Sequence, residues 1–396
     1  MINPHFCYIL GFLFSMAVYQ LNWSDAYPRL EWSLVVFLTI TLIAHLLSGL
    51  AWKRKLMDQS VRPAREGKPL ASPVVVTSLL LLLWFVNFLH EGIVPLINVI
   101  FKIPFDYKIF GTPVLHVFVV TFTSFYCLYL LDNYLRSKNQ RTLQLYALNF
   151  LPAILVFSRS MMLFILATSF FLYLLHLRSI QYRWLFLLFP LSLLLLYLFG
   201  VLGTIRVSFE AQTTYDERIF LDVGSASESF RNSKKPKEFF WPYIYISSPL
   251  ANLQTNIKTY PVRPITTALV LEYMNNEWLV ESLSKRFNHW AGIQRESERT
   301  IKEQFNVSTV YSRSYSYLGW WGMIATAAML LVVPVLYLKL IPDPHYQRMG
   351  IALMCTTYLF LCYDNTIRLM ALGFQLIYPI LFSLAEAKWA TLKHAS

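Results

Sequence analysis

At 396 residues, the chain is 56% apolar, 16% aromatic and only 14% charged, with a mean hydropathy of +0.46. A soluble domain carries about 25% charged residues, so a water-soluble globular enzyme is excluded, and the aromatic content excludes a disordered chain. Four cysteines over this length make no disulfide scaffold, which leaves a polytopic membrane protein with a net charge of +12.

A helical span needs about 20 apolar residues. Apolar runs bounded by charge predict ten spans near residues 6–22, 31–51, 73–89, 113–135, 142–158, 160–177, 184–203, 317–338, 349–363 and 369–387. The fifth and sixth form one apolar stretch broken by Ser158-Arg159-Ser160. A single helix of that length would be too long for a hydrocarbon core of about 30 Å, so a hairpin with Arg159 at its tip is expected. The fold class is therefore an all-α polytopic membrane protein, with spans 1–7 in residues 1–203 and spans 8–10 in 317–396. One long external loop, 204–316, separates the two groups.

Short loops on one side carry 15 Lys and Arg residues, against 5 on the other. Basic residues stay in the cytoplasm, so both termini are expected inside and the long loop outside. The basic excess follows from topology, and no nucleic-acid partner is implied. The amino-terminal MINPH lacks a basic region and runs into a span, so an uncleaved anchor is expected.

The long loop has 14 basic and 12 acidic residues. Its aromatic stretch, Phe239 to Tyr245, is too short and too broken by Pro242 to span. It reads as an interfacial belt or as a platform for stacking sugar rings. Residues 271–287 predict an amphipathic helix over the membrane mouth, with Leu271, Met274, Trp278, Leu279 and Leu283 on one face. All four cysteines lie in spans, no zinc spacing or Gly-rich phosphate loop is present, and no cofactor is expected.

Five residues are candidates for chemistry. Arg159, at the hairpin tip, reads as a headgroup anchor or as an anion ligand at a cavity mouth. Arg206 is the first charge after the seventh span, where a guanidinium fork suits phosphate oxygens. Glu210, four residues on, is a base or simply the i,i+4 partner of Arg206. His289, the loop's only histidine, is a base or a plain surface residue. Arg313, before the eighth span, is an interfacial anchor or a substrate ligand. Asp364 and Arg368 are expected to pair locally, and His90, Glu91 and His116 to serve packing.

Several segments, in order, resemble the Wzy-type O-antigen polymerases, the bacterial oligosaccharide repeat unit polymerases. They are Asn87-Phe-Leu-His-Glu-Gly-Ile-Val-Pro95-Leu, Phe157-Ser-Arg159-Ser, the loop-opening Arg206, Tyr245-Ile-Ser-Ser-Pro249-Leu-Ala-Asn252-Leu and Tyr315-Ser-Tyr-Leu-Gly319-Trp-Trp-Gly322-Met. An acidic residue often precedes the last Gly-x-x-Gly in that family; Ser316 or Tyr317 holds the place here. The resemblance implies an inner-membrane glycosyltransferase whose active face is periplasmic. It would join undecaprenyl-pyrophosphate-linked oligosaccharides without a cofactor, with membrane lipids and a chain-length regulator as partners. Arg159, Arg206 and Arg313 would bind substrate, Arg206 would stabilise the departing pyrophosphate, and His289 or Glu210 would be the base. An O-antigen ligase or a non-enzymatic lipid-linked oligosaccharide flippase is the alternative.

Overall fold

A computed structural model describes residues 2–60, 72–101, 103, 110–112, 114–177, 183–210, 216–261, 263–293 and 295–395. Within these, backbone alone is described at 53–60, 183–189, 206, 209, 210, 217, 371 and 387–395.

The chain opens with α1 (Pro4–Tyr19), α2 (Trp32–Ser60) and α3 (Pro73–Glu91). The short α4 (Pro95–Ile100) precedes α5 (Leu115–Ser137), α6 (Gln140–Leu155), α7 (Arg159–His176) and α8 (Arg183–Glu210). The short α9 (Glu217–Val223) and α10 (Glu228–Arg231) follow, then α11 (Phe240–Thr259), α12 (Thr267–Trp278) and α13 (Glu281–Ala291). The chain closes with α14 (Ser312–Lys339), α15 (Pro344–Leu359), the single turn α16 (Met370–Gly373) and α17 (Ile377–Ala395). No strand forms among the described residues; one isolated bridge joins Ser24 to Ala226.

Helix covers most of each of the ten apolar runs, the last of them interrupted by a 3-10 turn at 374–376. Among the described residues, five helices (α2, α3, α5, α7 and α14) are long and apolar enough to cross a membrane, and the protein is an all-α membrane protein. Their ends follow local chemistry. Asn3 accepts from the Phe6 amide and Pro4 fills the first position of α1, where a missing N–H costs nothing. Ser158 caps α7 through the Met161 amide. Asp343 caps α15 through the His345 amide, again with proline at the first helical position.

Residues 156–158 break the long apolar stretch into α6 and α7. Tyr146 Oη and Ser169 Oγ, nearly equidistant from the break, meet at 3.1 Å. The chain therefore doubles back, with Arg159 at the turn.

The core is built around α15. Every residue from His345 to Tyr358 is buried, and α1, α5, α7 and α17 pack around it. At its amino-terminal end, four basic side chains gather on one carboxylate. Asp132 of α5 is fully buried and faces Arg136 Nε at 2.9 Å, His176 Nε2 at 2.7 Å, His345 Nδ1 at 2.9 Å and Arg348 Nη1 at 4.0 Å. These contacts join α5, α7 and α15.

The aromatic stretch departs from both readings of it. Phe239 closes a 3-10 turn, and residues 240–259 form the continuous helix α11. Pro242 sits in its first turn, where no intrahelical donor is needed. Phe240, Trp241, Tyr243 and Ile244 are buried, so they form neither an exposed belt nor an open stacking platform. Trp241 lies face to face with Phe220 at 3.5 Å between ring centroids. Gly200 and Gly203 of α8 make room: a Cβ at Gly200 would lie 2.0 Å from the Glu238 carbonyl oxygen, and one at Gly203 2.6 Å from the Trp241 ring.

Helix α14 is two arms. Gly319 has φ 59° and ψ −140°, inside an otherwise helical segment. Ser314 and Thr326 are hydrogen-bonded at 2.7 Å, whereas twelve residues of straight helix measure about 18 Å. The first arm, 312–318, therefore folds back along the second. Tyr273 of α12 reaches the same place, 3.2 Å from the Gly322 carbonyl oxygen and 2.7 Å from Thr326 Oγ1.

Candidate functional site

The fold-back of α14 carries Arg313 into a ring of charged groups contributed by separate segments. Arg313 pairs with Glu298, and its Nη2 lies 4.0 Å from Asp364 Oδ1. Glu277 ends α12 and is 1% exposed. Asn365 Nδ2 donates to the Glu277 carbonyl oxygen at 2.9 Å and to its Oε2 at 3.2 Å. Arg368, 2% exposed, accepts the Glu281 amide on its carbonyl oxygen at 3.1 Å. Arg295 Nη1 lies 3.7 Å from Glu281 Oε1. Arginines 295, 313 and 368 thus meet carboxylates 277, 281, 298 and 364.

Several of these groups have a buried polar atom left over: among the described residues, Glu277 Oε1, Arg295 Nη2, Arg313 Nη1 and Arg368 Nε have no hydrogen-bond partner. Buried polar atoms are normally satisfied, so the ring has unused capacity for a ligand that both accepts and donates. Arg313 keeps 18% of its side chain exposed. Burial pushes the Glu277 carboxyl up to about 7, against the pull of Arg313, Arg368 and Asn365. Burial likewise raises Glu298, against the charge of Arg313.

The segment carrying Glu298 is held by two asparagines one turn apart on α11. Asn252 Oδ1 accepts the Ile301 amide at 2.9 Å, and its Nδ2 donates to the Val307 carbonyl at 2.8 Å. Asn256 Oδ1 accepts the Arg299 amide at 3.2 Å, and its Nδ2 donates to the Ser312 carbonyl at 2.8 Å. α11 thereby fixes both sides of the Arg313–Glu298 pair.

The amphipathic segment at 271–287 is two helices, α12 and α13, bent at Leu279 and Val280. Leu271, Met274, Trp278, Leu279 and Leu283 are exposed, as are Phe287 and Trp290. The buried face is polar. Asn276 Oδ1 accepts from Ser284 Oγ at 3.0 Å and Asn288 Nδ2 at 2.7 Å, and Asn288 Oδ1 accepts from Asn275 at 2.7 Å. Asn276 Nδ2 donates to the Glu272 carbonyl at 2.9 Å. Asn276→Asp loses that donor and buries a charge, so it should lower the thermal midpoint of the purified protein more than Leu279→Asp. A buried polar group left unsatisfied costs about 1–3 kcal/mol. Equal midpoints for the two variants would contradict this inside-out arrangement.

Of the five sequence candidates, the structure brings Arg313 into the ring. Arg159 heads α7, half-buried, with no ion pair among the described residues. His289 is exposed near the end of α13. The side chains of Arg206 and Glu210 lie outside the described residues. Asp364 faces Arg313 rather than its expected partner Arg368, because the fold-back of α14 brings Arg313 alongside it. His116 packs edge-on against Trp84 and Phe110, and Glu91 accepts the Gly111 amide at 3.0 Å. Sequence points to Arg368 only as a local partner of Asp364, and does not single out Glu277, Glu298 or Arg295.

An apolar cavity of about 550 Å³ lies between α2 and α14, lined by Val36, Phe37, Ile40, Trp320, Ile324 and Leu331 among others. Phe37 also packs edge-on against Tyr311 at 5.0 Å, two residues before Arg313. Among the described residues, no cluster of three or more His, Cys, Asp or Glu could hold a metal ion. Compared with protein-family models, curated proteins and solved structures, the chain matches none.

Proposed function

We propose that this protein is a membrane glycosyltransferase that joins oligosaccharide repeat units carried on undecaprenyl pyrophosphate. The observation that carries the reading is the ring around Arg313, in a protein whose α2 and α14 also line an apolar cavity. A guanidinium cluster suits a pyrophosphate, and an apolar cavity suits a long hydrocarbon chain. A lipid-linked sugar has both.

In this reaction, a hydroxyl oxygen of one lipid-linked unit attacks the anomeric carbon of the growing chain. The bond from that carbon to the pyrophosphate oxygen breaks, and its electron pair leaves with the pyrophosphate. The leaving group is already activated, so the protein's task is to hold the two lipids, receive the hydroxyl proton and stabilise the departing charge. Arginines 295, 313 and 368 supply that stabilisation. Arg206 and Arg159 are further phosphate ligands in this reading.

The test is the purified protein in lipid vesicles with lipid-linked repeat units of defined length. A ladder of longer lipid-linked chains is expected. Transfer only to added lipid A–core would make it a ligase, and movement of the lipid across the bilayer without new bonds would make it a flippase.

The reading also requires ten spans, cytoplasmic termini and a periplasmic site, as in a bacterial inner-membrane protein. A reporter fused after Lys237 should signal outside, and one after Ser396 inside. An inside signal at Lys237 would put the arginine ring on the wrong face for a periplasmic reaction.

A further inference from the structure

We propose that Glu277 is the catalytic residue that accepts the proton of the attacking sugar hydroxyl. The proposal rests on the transferase reading above and assigns the base of that reaction to a side chain in the ring. Three observations carry it.

The first is the state of the two carboxylate oxygens. Oε2 is held by Asn365 Nδ2 at 3.2 Å, while the same amide fixes the Glu277 backbone at 2.9 Å. Oε1 is buried and, among the described residues, has no hydrogen-bond partner. One oxygen is thus oriented, and the other lacks a donor among the described residues. A substrate hydroxyl is such a donor.

The second is charge balance. Three arginines, 295, 313 and 368, meet four carboxylates. Glu298 and Asp364 are taken by Arg313, and Glu281 by Arg295 together with Lys285, whose Nζ lies at 3.0 Å. Among the described residues, Glu277 is the carboxylate of the four without an ion pair of its own. It faces Arg313 and Tyr317 from α14, Arg368 from the 363–369 segment, Arg295 and Glu298 from the 295–298 segment, and Tyr273 from its own helix. Burial pushes its carboxyl up to about 7. A general base works best with its pKa near the working pH.

The third is proximity to the guanidinium groups that would hold the departing pyrophosphate. As the sugar oxygen bonds to the anomeric carbon, its proton passes to Glu277 Oε1, and the bonding pair of the broken C–O bond leaves with the pyrophosphate. Base and leaving-group stabiliser thus belong to one cluster of charged side chains.

Stability and rate should move in opposite directions with pH. Burial favours the neutral acid, so the contribution of Glu277 to the fold is fully present below its ordinary value of 4.5 and is lost as the pH rises through about 7. The reaction needs the anion, so its rate should rise through the same window.

The experiment uses the full-length protein with lipid-pyrophosphate-linked repeat units. Absence of polymer from the wild type would overturn the transferase reading itself. With wild-type activity in hand, Glu277→Gln should slow polymerisation by about 10²–10⁴-fold, abolish the acid limb of the rate profile and leave binding of the lipid-linked donor intact. Glu277→Asp should retain part of the rate and a displaced acid limb. The assignment is overturned if Glu277→Gln polymerises normally or keeps the wild-type acid limb, or if donor binding falls in parallel with rate. It is equally overturned if His289→Ala removes that limb. Should Glu277→Gln fail to accumulate, Glu277→Asp decides: a profile identical to wild type refutes the role.

Discussion

Arg313→Ala should abolish chain growth. Loss of a group that stabilises developing charge typically costs about 2.7–4 kcal/mol, a rate factor of about 10²–10³, enough to reduce a polymer ladder to single units. The substitution also strands the Glu298 carboxylate, and breaking a buried ion pair costs about 3–5 kcal/mol. Lost activity alone would therefore be ambiguous. The double variant Arg313→Ala with Glu298→Gln removes the stranded charge and should recover protein abundance without recovering polymer. Arg313→Lys keeps the charge but loses the planar fork, so a small residual activity is expected. If the double variant polymerises at the wild-type rate, the pyrophosphate is bound elsewhere, and Arg206 becomes the first place to look.

The sequence made some of this legible and hid the rest for physical reasons. Apolar runs identify helices in a membrane protein because the surrounding solvent is itself apolar, and most of each run is helical. The break at Ser158-Arg159-Ser160 was visible because charge and capping residues interrupt an apolar stretch too long for one span. Gly319 was visible as a glycine, but its positive φ was not. A continuous helix and a folded-back one share the same composition, so the reversal of α14 had no local signal. The site followed that reversal. Arg313 stood out as a charge at the edge of a span, whereas its partners lie far apart in the chain and meet only after α14 turns.

The α12–α13 pair shows a second limit. An amphipathic pattern reports that a helix has two unlike faces, but not which face is covered. Here Asn275, Asn276 and Glu277 are inside, while Leu271, Met274 and Trp278 are outside. In water this order would be unfavourable. Beside α14, whose second arm is among the apolar helices, the polar face closes on the arginine ring and the apolar face is left exposed. Glu277 was overlooked because it sits on the face that a water-based reading assigns to solvent.

The opposite end of α15 supports the largest stability effect. Asp132→Ala should sharply reduce accumulation and thermal stability, because it removes the carboxylate shared by Arg136, His176, His345 and Arg348. Arg136 Nη2 lies 3.2 Å from His345 Nε2. A guanidinium can only donate, so Nε2 accepts and the ring proton lies on Nδ1, facing Asp132. With the carboxylate gone, that proton and two guanidinium charges lose their common acceptor inside the helix bundle. Removing one partner of a buried ion pair costs about 3–5 kcal/mol, a large share of a typical folding free energy of about 5–15 kcal/mol. Asp132→Asn keeps an acceptor oxygen and should fall between wild type and alanine. The 16 residues of α15 separate this cluster from the ring around Arg313, about 24 Å of helix. Whatever Asp132→Ala protein does accumulate should therefore keep its polymerising activity per molecule. A wild-type unfolding midpoint for Asp132→Ala would show that α5, α7 and α15 are held together without this carboxylate.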